Sequence, residues 1–232
     1  MAVNVDTVYK TVLLILNQQQ RGYMTPDEFN KVGTQVQLTM FEGYASDLNQ
    51  QYRLPDNDTE YADRVKNIQQ KLQFFQRTGT TVYVGPHFTL TPTDIYRLGS
   101  VFYRDVEITQ YVQRNELRQI LLSPLTQPTE KFPLYLYEDD KLTVFPNTIT
   151  SNVTISYLKT PNPINWTFTL GAQGQYVYNP ADPAAQNFEL DITEQNEIIL
   201  RILAYAGIII QDPTIIQSAA SAVATEDTNE KQ

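Results

Sequence analysis

Few side chains in this sequence are of a type and spacing to do chemistry, and each has a plainer use. The single histidine, His87, stands between Pro86 and Phe88 in a stretch that alternates like an edge strand. Triad chemistry needs such a base beside an activated nucleophile, and no G-x-S-x-G or related frame accompanies it, so a structural or surface histidine is expected. Asp56, Asn57, Asp58 and Glu60 follow the first half of a calcium loop, but Tyr61 stands where that loop needs glycine and no bidentate acid comes after. Helix capping accounts for them better. Glu138, Asp139 and Asp140 would work as a general acid and base only if two carboxyls converged, whereas adjacent acids in a hairpin turn point apart and stay hydrated. One histidine and no cysteine rule out zinc sites of the Cys and His type, and neither GxxxxGK nor GxGxxG occurs to cradle a phosphate. The aromatic stripe from Tyr135 to Tyr178 offers a platform for a sugar or a base, against the commoner use of alternating aromatics as core and cross-strand pairs. No catalytic residue, no cofactor and no metal site is expected.

Composition narrows the remaining classes. A chain of 232 residues buries roughly 70 % of its unfolded surface on folding, enough for one large domain or two small ones. Fifteen Tyr and 13 Pro against 9 Gly lean toward sheet and rigid loops. The net charge of −9 argues against a general grip on nucleic acid, which needs clustered Lys and Arg, though not against a surface that DNA slides past. The absence of cysteine excludes disulfides and fits assembly in a reducing cytosol. The first residues, MAVNVDTVYK, carry no secretory signal pattern. The apolar run from Ile198 to Ile210 is short and interrupted by Arg201, so no membrane span is expected.

Periodicity gives an α+β protein. Val5, Val8, Tyr9, Val12, Leu13 and Leu16 predict a first helix to about Gln19, after Asn4 or Asp6 as cap. The second helix opens with Thr25 as cap, Pro26 at the first position, Glu28 reaching back, and Met24 and Phe29 spaced as a hydrophobic staple. Gly33 and Gly43 on its face suggest close approach by another backbone. A third helix after Asp58 carries the seam Tyr61, Val65, Ile68, Leu72 and Phe75. Beyond Gly79 the period becomes two: strands around Val82 to Leu90, with Pro86 and Pro92 marking edges or interruptions, then Ile95 to Tyr103 and Val106 to Ile108. A short helix between Tyr111 and Leu122, with Asn115 as a possible cap, precedes a hairpin through Glu138 to Asp140. Val153 to Tyr157 reads as a third strand beside that hairpin, and Trp166 to Tyr178 as a second hairpin. The expected domains are a helical core of 1–78 with 188–224, a β-rich antiparallel sheet or sandwich over 79–187, and a flexible tail at 225–232.

The closing stretch, Leu190 to Ala224, predicts two packing helices. Asp191 to Glu194 is spaced as a capping box for the first. Its stripe Ile198, Ile199, Ile202, Leu203, Ala206, Ile209 and Ile210 faces one way, with Leu200 and Ile208 opposite, so both sides need cover. Asp212 and Pro213 open the second helix, which turns Ile215, Ile216, Ala219, Ala220 and Val223 inward. Leu200, Ile208, Ile209, Gly33 and Gly43 are therefore the candidate subunit interface.

VNVDTVYKTVLLILNQQQRGYMTPDEFNK at Val3 to Lys31, KLTVFPNTITSNVTISYLKTPNP at Lys141 to Pro163, and ELDITEQNEIILRILAYAGIIIQDPTI at Glu189 to Ile215 resemble head-to-tail connector proteins of crAss-like and other short-tailed bacteriophages, comparable with tail tubular protein A. The resemblance implies a virion structural protein: a homo-oligomeric ring, usually of twelve copies, in the connector or tail barrel. It further implies portal and adjacent tail or ring proteins as partners, with DNA passing through the lumen without specific binding. A receptor-binding or glycan-binding tail protein, or another head-stabilising virion protein, is the alternative, and a small hydrolase centred on His87 the remote one.

Overall fold

The described residues of the computed structural model are 2–18, 23–53, 59–210, 217 and 219–225; the side chains of 18, 50–53, 59–64 and 208–210 lie outside them. In chain order the elements begin with helices α1 (Val5–Gln18), α2 (Pro26–Arg53) and α3 (Thr59–Leu72). Strands β1 (Gln76–Val84), β2 (His87–Leu90), β3 (Ile95–Tyr103), β4 (Val106–Glu107) and β5 (Gln110–Tyr111) lead into helix α4 (Arg114–Leu122). Then come β6 (Leu134–Glu138), β7 (Lys141–Phe145), β8 (Val153–Lys159), β9 (Phe168–Leu170) and β10 (Tyr176–Tyr178), and α5 (Gln195–Ile210) entered through a 3-10 turn at Ile192–Glu194. Residues 219–225 are also helical.

The chain is α+β and divides into two compact units, Met1–Phe74 with Pro161–Gln232, and Phe75–Thr160. The alternating pattern assigns 79–187 to one β-rich domain, whereas the strand-rich unit closes at Thr160 and the segment 161–187 clusters with the helices.

In the helical unit the starts follow the sequence signals. Asn4 is the cap of α1, its Oδ1 accepting from the Asp6 and Thr7 amides at 2.8 and 3.2 Å. At α2 the Thr25 amide donates to Glu28 Oε2 at 2.8 Å and the Glu28 amide to Thr25 Oγ1 at 3.4 Å, a closed capping box over buried Met24 and Phe29. The Thr25 amide and hydroxyl hold the Glu28 carboxyl below its usual range.

A polar stripe on α2 then fixes the segment after Pro161. Asn30 Oδ1 accepts from the Trp166 amide at 2.8 Å and Thr34 Oγ1 from the Ile164 amide at 3.2 Å. Gln37, only 1 % exposed, donates to the Asn162 carbonyl at 2.7 Å and accepts from the Glu189 amide at 2.8 Å. Positions 30, 34 and 37 share one helix face, so a single face satisfies backbone that no large sheet pairs. Trp166 Nε1 donates to Asp6 Oδ1 at 3.0 Å, which ties α1 into the same arrangement.

The last elements are anchored by a buried carboxylate. Glu194, 4 % exposed, accepts from Tyr44 Oη of α2 at 2.7 Å and lies 3.1 Å from Lys71 Nζ of α3. From that anchor α5 buries Ile198, Ile199, Ile202, Leu203 and Ala206 and packs on α1 and α2. Asp212, Pro213, Ile215 and Ile216, the side chain of the seam residue Tyr61, and the tail from 226 onward fall outside the described residues.

The strand-rich unit is a single curled sheet in the order β4-β3-β8-β1-β2-β7-β6-β5, antiparallel except for the β5/β6 pair. Its curl is made by β1, which pairs with β8 through Gln76 to Thr80 and with β2 through Thr81 to Val84. Gly79 sits just before the change of partner, where a Cβ would meet Pro92 at 2.7 Å and Tyr157 at 3.2 Å. The curl brings Val101, Val153 and Ile155 from one half into one core with Phe88, Leu142 and Val144 from the other.

Two expectations are corrected in this unit and one is resolved. The Val153 to Tyr157 strand lies between β3 and β1 rather than beside the β6/β7 hairpin. Of the edge or interruption read at Pro86, it is the interruption: Pro86 occupies the two-residue turn of the β1/β2 hairpin, where its missing N–H costs no ladder bond. Asn115 lies inside α4, whose cap position is Gln113, with no side-chain cap bond.

Two outcomes follow. Glu194→Ala removes the carboxylate that Tyr44 and Lys71 share, and urea unfolding should register a loss of about 3–5 kcal/mol; a loss under about 1 kcal/mol would mean the anchor is dispensable. Because the folded Glu28 carboxyl is held below its ordinary value of 4.5, its charge stabilises the fold above that value and the contribution disappears as pH falls through the depressed one. Glu28→Gln should therefore be less stable than the parent at neutral pH, with the difference shrinking as pH falls below 4.5, read from urea midpoints across that range.

Candidate functional site

The sequence-predicted chemical groups do not converge. His87 is half-buried on β2, its Nδ1 2.9 Å from Thr143 Oγ1 on the neighbouring β7. The three hairpin acids diverge as expected: Glu138 pairs with Arg114, whose Nε lies 2.8 Å away, Asp139 with Lys141 Nζ at 2.7 Å, and Asp140 accepts from Tyr137 Oη at 2.9 Å. Burial, then the bond to Asp140, push the Tyr137 hydroxyl up to about 12. Asp139 and Asp140 both take positive φ, 53° each, as a two-residue type I′ turn requires. Asp56, Asn57, Asp58 and the Glu60 side chain lie outside the described residues. Among the described residues no group of three or more His, Asp or Glu could hold a metal ion, and no helix is long and apolar enough to cross a membrane.

The candidate interface residues separate as well. Gly33 is buried, and a Cβ there would stand 2.4 Å from Ile164 Cδ1 and 3.3 Å from Phe188 Cζ, so its surface is taken within its own unit. The close approach read from its small side chain is real, but the segment approaching belongs to the same chain. Gly43 is exposed, with nothing within 4 Å of a Cβ. Leu200 is half-buried, and the side chains of Ile208 and Ile209 lie outside the described residues. Of the described part of α5, Asn196 and Tyr205 are exposed and Arg201 and Ala204 half-buried. The open side of this helix is therefore narrow.

What the molecule does present is an apolar turn that periodicity did not single out. Leu122, Leu125 and Phe132, after the end of α4, are 82, 97 and 78 % exposed. The connection that carries them is nevertheless held in shape. Thr126 Oγ1 donates to the Ile120 carbonyl at 3.0 Å and Gln127 Nε2 to the Leu121 carbonyl at 3.2 Å, which satisfies two of the last carbonyls of α4. The Thr126 amide closes a turn onto the Ser123 carbonyl at 3.2 Å, and Thr129 and Phe132 bond reciprocally. At about 1.5–3 kcal/mol for each large apolar side chain fully buried, these three leave on the order of 5–9 kcal/mol of hydrophobic stabilisation unused by the folded chain. The only advance signal is Leu-Leu-x-Pro-Leu between helix and hairpin, apolar residues in a stretch whose prolines mark it as loop.

Two further apolar surfaces lie among the described residues. The β9/β10 hairpin, a two-stranded sheet, exposes Phe168, Leu170, Tyr176 and Val177, while Trp166 beneath it is buried against Tyr9 and Tyr178. In the helical unit, an apolar groove of about 370 Å³ lies between α2, α5 and the helical residues 219–225, lined by Val36, Ala204, Tyr205, Ala220, Val223 and Ala224. Ala219 turns inward there as expected, whereas Ala220 is exposed.

Comparison with known proteins yields no matching family model and no matching curated protein.

Substitution at Gly33 separates the two uses of that residue. Gly33→Ala should be nearly neutral, because the Ile164 tip can shift and the helix gains up to about 1 kcal/mol of propensity. Gly33→Leu should overpack the Ile164 and Phe188 contact and cost about 1–3 kcal/mol in urea unfolding. Unchanged unfolding with Leu at this position would return Gly33 to the list of surface residues.

Proposed function

We propose that this chain is a virion structural protein that forms a homo-oligomeric ring, with twelve copies as the expected number, in the head-to-tail connector of a short-tailed bacteriophage. In this reading it joins portal to tail and lines the DNA passage, and no step of chemistry is assigned to it. The observation that carries the reading is the ordered turn bearing Leu122, Leu125 and Phe132 in open solvent. Large apolar side chains carried into solvent on a backbone turn that hydrogen bonds hold in shape are characteristic of a surface that meets another protein, since a monomer gains nothing from presenting them there. The resemblance of the three quoted segments supplies the identity of the assembly. A helical bundle of N- and C-terminal helices interrupted by a β-rich unit belongs to the same proposal, as does a lumen whose acidic balance lets DNA pass without adhering.

The exposed Phe168 and Tyr176 of the β9/β10 hairpin support a second reading, a glycan-binding tail protein. They meet edge to face at 4.7 Å with 78° between their planes, so they offer less open ring face than a sugar platform uses.

Mass measurement of the purified chain across concentration, with micrographs of the same samples, tests the first reading: closed rings are expected, and Leu122→Ser with Leu125→Ser should abolish them while changing unfolding stability by less than about 0.5 kcal/mol. A chain that remains a monomer at every concentration, with or without portal, would overturn it.

A further inference from the structure

The turn after α4 and the groove beside α5 are complementary features of one chain, one a protrusion of bulky apolar side chains and the other a depression made by small ones. The turn is narrow: the Thr126 amide bonded to the Ser123 carbonyl makes Leu125 its tip, one helical end away from Leu122. The groove owes its space to Ala204, Ala220 and Ala224, with Val36 and Val223 on its walls. An apolar cavity of about 150 Å³ takes a benzene-sized group, so about 370 Å³ has room for two side chains the size of leucine. Neither feature carries a charge in its apolar part. Arg201, at the groove, is already committed to Glu197 through Nε at 2.6 Å, so an apolar occupant strands no cation.

We propose that the Leu122 and Leu125 turn of one copy inserts into the groove between α5 and residues 219–225 of the next copy, and that this is the joint of the ring. The inference rests on the ring reading above and names its contact. Made once between any two copies, the contact is heterologous, and repetition of it leads head to tail into a closed ring or an open filament; made twice within one pair it would be reciprocal and stop at a dimer. Its size fits that role. At about 60–120 Å² for each large apolar side chain, the two leucines bury roughly 120–240 Å² on the inserting side, well under the ~800 Å² per partner of a standard interface. One joint alone is weak. In a closed ring every copy both inserts and receives, so assembly is steeply concentration-dependent and is helped by any template that gathers the copies.

The chain has no cysteine of its own, which makes disulfide trapping clean. The full chain carrying L125C together with A220C, oxidised mildly and run without reductant, should give a ladder of trimers and above, collapsing to monomer on reduction; either single variant should give no ladder. L125D should lose the rings in micrographs while melting within a few degrees of the parent, whereas V106D, at another exposed site of the strand-rich unit, should keep them. Rings that form normally yet yield only monomers in the trapping experiment would overturn the joint and leave the ring reading standing. Trapped dimers and nothing larger would also overturn it, in favour of a reciprocal pair. A parent chain that never assembles removes the ring reading, and the joint with it.

Discussion

The helical unit depends on one face of α2. Asn30, Thr34 and Gln37 are the hydrogen-bond partners of the segment between Asn162 and Trp166 and of Glu189, a stretch with only a short hairpin and isolated bridges to satisfy its own backbone. Unpaired amides and carbonyls at such depth cost about 1–3 kcal/mol each, so without these side chains the segment would move outward to water and uncover Ile164, Trp166 and Phe188. Gly33 lies among the three polar residues and lets Ile164 press against the helix backbone. Polar satisfaction and apolar packing are therefore one arrangement, and neither survives the loss of the other.

A second buried polar group does the same for the C-terminal elements. Glu194 reaches Tyr44 of α2 and Lys71 of α3 from the turn that starts α5. A buried pair of this kind contributes little net stability compared with an apolar replacement, but breaking it by removing one partner is costly. Its effect is one of position: it fixes where α5 begins, and the apolar stripe from Ile198 to Ala206 then packs in a single register on α1 and α2.

Local signals were legible wherever one short stretch decides the outcome. The α2 capping box with its Met24 and Phe29 staple, the β6/β7 hairpin, and the start and end of β3 could be read from neighbouring residues. What could not be read were partners distant in sequence. Asn30, Thr34 and Gln37 look like the solvated face of a helix, because side chains that bond to backbone across about 130 residues leave no periodic trace. For the same reason the period-two pattern of 161–187 announces strands without saying which unit holds them, and β8 finds β3 and β1 instead of the hairpin next to it in sequence. The site was the least legible part. Gly33 signals close approach correctly but not by whom, and the exposed Leu122 and Leu125 stand in a proline-marked stretch that hydrophobic periodicity does not score.

The proposed assembly rests on the α4 end of the chain rather than on α5. A helix apolar nearly all round suggests a second chain only if its own chain leaves one side bare, and in the described part of α5 the folded unit already takes most of both sides. Helix hydrophobicity is thus a statement about burial, not about who buries it. An exposed leucine is by itself unremarkable too, since more than half of any protein surface is apolar. The informative combination at the α4 end is exposure together with order: two side-chain hydrogen bonds to helix carbonyls and a closed turn spend local interactions on keeping three large apolar groups in the solvent. Folding alone gains nothing from that arrangement, which is why the proposed contact with another copy is placed there.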